Sequence, residues 1–294
     1  MTAKRENPTL AIALMVLATV FIAATTLLAK ALGTDTLGPP LHALQISQGR
    51  FIFALMAIGS VAVLMRAKIR APNMKLHLRR TLLGWAGVSL MFASVAFIPL
   101  TDASAISFLN PVFAMILAIF VLGEKVGRIR WTAAAIALIG ALILLRPGPS
   151  TFQPAALLAL GAAMLFGIEI TIIKFLSGRE KAIQILLINN MLGVCIATFA
   201  ASFVWQMPTA LQWAALASLG IFMAMAQTCF VHSLARADSS LVVPFSYGTL
   251  VFATLYDLLI YDVVPDVISI SGAVVIIAGA ALLAFREAQL ARSR

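Results

Sequence analysis

Long apolar runs, not alternating positions, organise this chain. They fall near residues 9–32, 43–65, 81–99, 103–122, 131–145, 153–176, 183–205, 211–235, 241–261 and 267–285, with short polar stretches between them. A membrane-crossing helix needs about 20 mostly apolar residues. The period-2 alternation of a membrane β-barrel is absent. The pattern therefore predicts an all-α integral membrane protein of ten transmembrane helices. The first run is too long for the apolar core of a cleaved signal, and nine similar runs follow it.

Composition removes the soluble alternatives. Of 294 residues, 62% are hydrophobic and 11% charged, against about 25% charged in a soluble domain. Ten spans consume about 200 residues, which leaves too few for a separate soluble domain. Cys195 and Cys229 both lie in apolar runs and read as small buried side chains, not as a disulfide. The net charge of +10 would suggest nucleic acid in a soluble protein. Here it follows membrane orientation. With the N-terminus inside, Lys4, Arg5, the 66–80 loop, Lys125, Arg128, Arg130, Lys174, Arg179, Lys181, Arg236 and the C-terminal arginines share one side, and Lys30 and Arg146 take the other. This is the positive-inside bias. It predicts both termini in the cytoplasm, a bacterial inner-membrane location, lipid as the surrounding partner and no nucleic acid.

The halves resemble each other. A helix ending at Lys30 opens the first, and one ending at Lys174 opens the second. The first closes with Pro111, Gly123-Glu124 and an Ala/Gly-rich helix through Gly140. The second closes with Pro244, Tyr261-Asp262 and an Ala/Gly-rich helix through Gly279. Five helices per half make the second repeat inverted, with boundaries at 1–148 and 149–294. Inverted repeats commonly build transporters whose site lies near the midplane between the halves. The small residues Ala133, Ala137, Gly140, Ala141, Gly272 and Gly279 suit close helix packing, within the chain or in a homodimer.

Phe108-Leu109-Asn110-Pro111 leading to Leu122-Gly123-Glu124-Lys125, and Pro244-Phe245-Ser246-Tyr247 leading to Asp262, resemble the drug/metabolite transporter superfamily, in particular its ten-helix EamA-type permeases. The second-half pattern is similar to the branch of S-adenosylmethionine and related metabolite transporters. That branch has Gly-Glu, one residue, then Pro at the last loop, where this chain reads Tyr261-Asp262-Val263-Val264-Pro265. The resemblance implies a permease for a small amphipathic metabolite, of S-adenosylmethionine or amino-acid-derived type.

Candidate site residues are polar groups that the span lengths force into the membrane. Phe51–Met65 is too short to cross, so its helix starts near Ala43 and carries Arg50 roughly 10 Å in from the outer face. The same reasoning takes the sixth helix through Glu169, roughly 24 Å from that face. A depth difference of roughly 14 Å argues against a direct Arg50–Glu169 pair. With no basic residue at its depth except Lys174, which points well away around the helix, Glu169 reads as the group that binds either a coupling proton or a cationic part of the solute. Intramembrane charges are costly and mark functional sites by default. Asn110 and Tyr247 flank the two proline breaks, and Gln227 falls near the level of Glu169. Trp85, Phe92, Phe166, Phe245 and Tyr247 offer surfaces that could stack on a ring or cation, and Phe92 and Phe166 join the candidate set. Of Asn189-Asn190, at most one can face a path. Glu124 and Asp262 read as turn-fixing carboxylates.

Function follows by exclusion. No GxxxxGK[ST] loop is present for ATP. No nucleophile–base pair, metal cluster or cofactor motif supports an intramembrane enzyme. Scattered polar residues do not make the continuous lining of a channel. A secondary transporter working by alternating access remains. For orientation, membrane-impermeant thiol labelling from outside should reach single cysteines placed near Gly38 and Gln206 and miss those near Asn73 and Arg128. The opposite pattern would overturn the topology.

Overall fold

The computed structural model describes residues 7–292 except 96, 99, 149–152, 155 and 263, and leaves undescribed the side chains of 92, 95, 100–102, 261 and 287–292. All the regular structure among these residues is helical: α1 (Pro8–Leu32), α2 (Ala43–Leu64), α3 (Met74–Val95), α4 (Leu100–Ser107), α5 (Asn110–Leu122), α6 (Arg128–Leu145), α7 (Ala156–Ser177), α8 (Ala182–Ala201), α9 (Ala210–Leu234), α10 (Ser239–Val242), a 3-10 segment Val243–Tyr247, α11 (Gly248–Tyr261) and α12 (Val267–Arg292). Nine stretches among the described residues are long and apolar enough to cross a membrane. The 22-residue α3 is not one of them; Lys75, Arg79 and Arg80 occupy its first two turns. It begins seven residues before the apolar run that marks it, so Arg80 belongs to a helix and not to a basic loop.

Local chemistry sets the helix ends. Asn7 caps α1 by accepting the Leu10 N–H, with Pro8 in the first turn, where its missing N–H costs nothing. Thr209 and Gln212 form a reciprocal capping box at the start of α9. Gly123 ends α5 in the left-handed conformation at φ 70°, and Asp262 ends α11 in the same way at φ 52°. Asp262 therefore occupies the conformational position of Gly123, one that strains most side chains but that Asp tolerates better than most. Glu124 does bind helix-end amides. Its carboxylate accepts the Ser239 and Ser240 N–H groups and the Ser239 hydroxyl, at 2.8–2.9 Å.

Both proline-bearing spans are broken. α4 stops at Ser107 and α5 starts at Asn110, and the second-half span passes through the 3-10 segment between α10 and α11. Pro111 offers no N–H to the Ser107 carbonyl four residues back; the Asn110 side-chain amide donates to that oxygen instead, at 2.8 Å. The two breaks meet. The Tyr247 hydroxyl donates to the Phe108 carbonyl oxygen at 2.8 Å, and the two rings stack with centroids 5.9 Å apart. Irregular backbone within a span is tolerated where protein supplies such partners.

Packing pairs elements from opposite halves: α1 with α9, α3 with α7, α2 with α8 and α9, and α6 with α12. The α6–α12 contact is the small-residue seam foreseen from the sequence. A Cβ on Gly140 would lie 2.6 Å from the Ile276 nitrogen and 2.8 Å from the Gly272 carbonyl oxygen. At one end of the bundle, Glu180 accepts from Asn73 N–H and from the Gln184 amide and bonds His77 Nε2, joining the α2–α3 and α7–α8 connections. Partial burial pushes the Glu180 carboxyl up, but the bonds from Asn73, His77 and Gln184 and the His77 charge outweigh it and hold it below the usual glutamate value.

Gly140→Ala should force α6 away from α12, because the obstructing atoms are backbone, and should destabilise by about 1–3 kcal/mol. A Cβ added at Gly59 would meet nothing within 4 Å, so Gly59→Ala should leave melting in detergent unchanged or slightly raised. Equal melting temperatures for Gly140→Ala and wild type would contradict this packing.

Candidate functional site

Two chambers open inside the bundle and share a wall. The first, of about 200 Å³, lies among α2, α3, α7, α8 and α9 and is lined by Ser47, Arg50, Trp85, Asn189 and others. The second, of about 400 Å³, lies among α1, α3, α7, α9 and the two broken spans, where Arg80, Phe108, Asn110 and Ser246 face it. Phe166, Glu169 and Gln227 line both. Phe166 and Glu169 are three residues apart on α7, one turn of one helix face. Gln227 meets them from α9.

The opposite face of α3 makes room for this wall. A Cβ on Gly84 would lie 2.9 Å from Glu169 Oε2, and one on Gly87 would lie 2.7 Å from the Phe166 ring. Two glycines a turn apart thus let the carboxylate and the ring lie flat against α3. Side chains at either position would push them into the chambers.

Glu169 has a basic partner, contrary to the sequence reading. Arg80 Nε lies 3.6 Å from Glu169 Oε1, with the arginine side chain 3% exposed and the carboxylate 23%. The misreading came from assigning Arg80 to the connecting loop. Lys174 turns away, and its ammonium donates to the Leu234 and Ala237 carbonyl oxygens. No ion pair joins Arg50 to Glu169 directly, as the depth estimate anticipated. Yet the two line one chamber, and each lies within the other's electrostatic reach. The Arg50 guanidinium sits over the neighbouring Phe51 ring at 4.1 Å from its centroid, a cation–π contact.

The remaining polar groups are mostly donors left over from a supporting network. Asn190 donates to the Leu186 carbonyl and to Gln227 Oε1, at 2.8 and 3.0 Å. That bond turns the Gln227 amide nitrogen toward other partners. Asn189 accepts from the Thr81 hydroxyl at 3.4 Å and lines the first chamber, while Asn190 does not line either. Arg80 Nε and Nη1 are buried without a hydrogen-bond partner.

Of the sequence candidates, Arg50, Asn110, Phe166, Glu169 and Gln227 come together around the two chambers. Tyr247 does not. It is fully buried and holds the two breaks together from behind the second chamber. The Phe92 side chain lies outside the described residues. Phe245 packs into the apolar core, and Trp85 lines the first chamber. Sequence reasoning missed Arg80, Gly84 and Gly87, and left open which of Asn189 and Asn190 faces the path. The signal for the first three was available as a Gly-x-x-Gly spacing four residues beyond an arginine, on a helix that starts earlier than its apolar run.

Known proteins share this fold or are similar in sequence. A solved crystal structure superposes with a TM-score of 0.79 over 95% of this chain and 98% of that one, at 17% identity, which establishes the fold alone. The S-adenosylmethionine uptake transporter of Rickettsia bellii is 27% identical over 85% of this chain and 87% of its own length. The riboflavin transporter of Vibrio cholerae is 30% identical over 77% of each chain. The pseudopaline exporter of Pseudomonas aeruginosa is 25% identical over 77% of this chain and 82% of its own. The EamA-like transporter family matches residues 9–146 and again residues 153–285. With the match running nearly end to end in two copies, the chain belongs to the EamA-like transporter family.

Proposed function

We propose that this multi-pass membrane protein carries a small amphipathic metabolite across the bacterial inner membrane by alternating access, through the two chambers that meet at Glu169. The protein is a secondary transporter and not an enzyme, as its family membership and transporter relatives establish. The observation that carries the finer reading is the shared wall. Phe166, Glu169 and Gln227 are the groups reached from both chambers, so a solute crossing from one to the other must pass them.

The architecture in this reading has ten spans in two inverted repeats, 1–148 and 149–294, with both termini cytoplasmic and α3 as the tenth span. The 22 residues of α3 give about 33 Å at 1.5 Å per residue, enough to cross. Its basic first turns lie at the cytoplasmic edge, with Arg80 turned inward to Glu169. The double family match, the two proline breaks and the equivalent left-handed caps at Gly123 and Asp262 support the repeat. The small-residue faces of α6 and α12 pack on each other within the chain.

Arg50, Asn110, Phe166, Glu169 and Gln227 are the solute-contacting set, with Glu169 as the coupling residue. Its pairing with Arg80 must rearrange whenever a charged group enters, and that rearrangement is what alternating access can read. S-adenosylmethionine, riboflavin and pseudopaline, named for the relatives, all combine a larger organic body with polar groups. Uptake and export both occur among those relatives, so the direction here is set by gradient and not by fold.

In proteoliposomes, a labelled solute selected by trans-stimulated exchange from a panel including S-adenosylmethionine, riboflavin and amino acids should accumulate when an ion gradient is imposed. Glu169→Gln should reduce gradient-driven accumulation at least tenfold while exchange and folded yield stay within about twofold of wild type, about 1.4 kcal/mol being the scale of a tenfold effect. Wild-type accumulation in Glu169→Gln would overturn the coupling role. Absence of trans-stimulation with a solute that still permeates would replace the carrier with a channel.

A further inference from the structure

The charged residues that line the two chambers are Arg50, Arg80 and Glu169, among the described residues. Two guanidiniums face one carboxylate, which leaves one positive charge uncompensated. An uncompensated charge in a low-dielectric interior is unfavourable, so this lining favours an anionic ligand. The hydrogen-bond inventory leans the same way. Arg80 lines the second chamber but is only 3% exposed; its buried Nε faces Glu169 Oε1 at 3.6 Å, and its buried Nη1 has no hydrogen-bond partner. Arg50 makes no hydrogen bond or ion pair among the described residues and fronts the first chamber. Gln227 accepts from Asn190 on its carbonyl oxygen, which directs its amide N–H groups to other partners, whereas the single Thr81 hydroxyl proton is shared between the His77 carbonyl oxygen at 3.1 Å and Asn189 Oδ1 at 3.4 Å. Donors outnumber acceptors, and the one strong acceptor, Glu169, approaches Arg80 at 3.6 Å, beyond the usual 2.7–2.9 Å of a charge-assisted bond.

Resting on the transport reading above, we propose that the solute is an organic acid: its carboxylate is bound by the Arg50 and Arg80 guanidiniums, supplying the negative charge that Glu169 provides only in part, while its apolar body lies against Phe166 and Trp85. Guanidinium presents a planar fork of donors that matches a carboxylate edge to edge. Phe166 on the shared wall and Trp85 in the first chamber supply flat apolar surfaces next to that fork. Glu169 then acts as a resident counter-ion, holding Arg80 when the site is empty and yielding it when the solute's acid group arrives. This reverses the assignment that an isolated carboxylate would suggest, a site for a cationic group.

Three probes of one shape and different charge test it on the purified full chain in lipid nanodiscs: phenylacetate, phenylacetamide and phenethylammonium, each titrated while thermal unfolding is followed. A ligand at concentration L that binds only the folded state stabilises it by RT ln(1 + L/Kd), so the concentration needed for a given rise in melting temperature reports its Kd. Phenylacetate should produce the same rise at a concentration at least tenfold below the other two. Arg50→Gln should abolish that preference, and Arg50→Lys should retain at least part of it, because charge survives without the fork. Glu169→Gln frees the second guanidinium and should leave phenylacetate binding equal or several-fold tighter. If Arg50→Gln fails to fold, the Arg50→Lys and Glu169→Gln results decide on their own. Preference for phenethylammonium that is lost in Glu169→Gln would overturn the organic-acid assignment and leave the site in place. Equal stabilisation by all three probes would likewise overturn it. No stabilisation by any probe would overturn the assignment and the chamber site together.

Discussion

A carboxylate enclosed by an apolar bundle must find positive charge, and in this molecule Glu169 finds Arg80. Much of the surrounding structure is arranged to let that pair form. α3 has to start early enough to carry Arg80 into the bundle. It has to present Gly84 and Gly87 one and two turns later, so that Glu169 and Phe166 can lie against it. α7 has to run straight past the first-half break, which keeps Phe166 and Glu169 on one face. The cost of removing both charges from water is of the order of several kcal/mol per ion. A purely structural contact between α3 and α7 would be more stable if apolar. This fits the proposal that the pair exchanges partners during transport.

The two broken spans provide the second constraint. Each break frees backbone groups that lipid could not satisfy. The solution joins the breaks to each other, through the Tyr247 hydroxyl on the Phe108 carbonyl, and closes Ser107 with the Asn110 amide. This leaves the second chamber with a rigid floor made from both halves of the chain. A single neutral hydrogen bond contributes only about 1 kcal/mol. Its importance here is in placement, since it fixes where two interrupted helices cross.

Sequence reasoning read the membrane class and most of the helical runs, because those depend on span length and residue type. It singled out Arg50, Asn110, Phe166, Glu169 and Gln227, which line the two chambers, although its depth estimate set Arg50 and Asn110 well apart from Glu169 and Gln227. It failed where an answer depended on the rotation of one helix against another. Arg80 looked like loop because apolarity stops at Thr81, whereas the helix itself continues down to Met74. Tyr247 looked like lining because it flanks a proline, but its hydroxyl is claimed by a carbonyl more than a hundred residues away. Asp262 looked like the counterpart of Glu124 by charge. The backbone instead puts it in the place of Gly123, where conformation and not charge is the requirement. In each case the missing information was a long-range neighbour.

In the proposed transport path each membrane face reaches in turn the chamber wall at Gln227, whose charged surroundings, Arg50, Arg80 and Glu169, are net positive. Gln227→Cys, in a chain with Cys195 and Cys229 replaced by Ser, places a thiol on that wall and leaves Arg50, Arg80 and Glu169 intact. Its reaction with sulfonatoethyl and trimethylammonioethyl methanethiosulfonate can be timed in right-side-out and inverted vesicles, each rate normalised to that of a free thiol in solution. Labelling should occur from both faces, with the anionic reagent favoured several-fold over the cationic one. Labelling from one face only, or a preference for the cationic reagent, would contradict a cationic wall with alternating access.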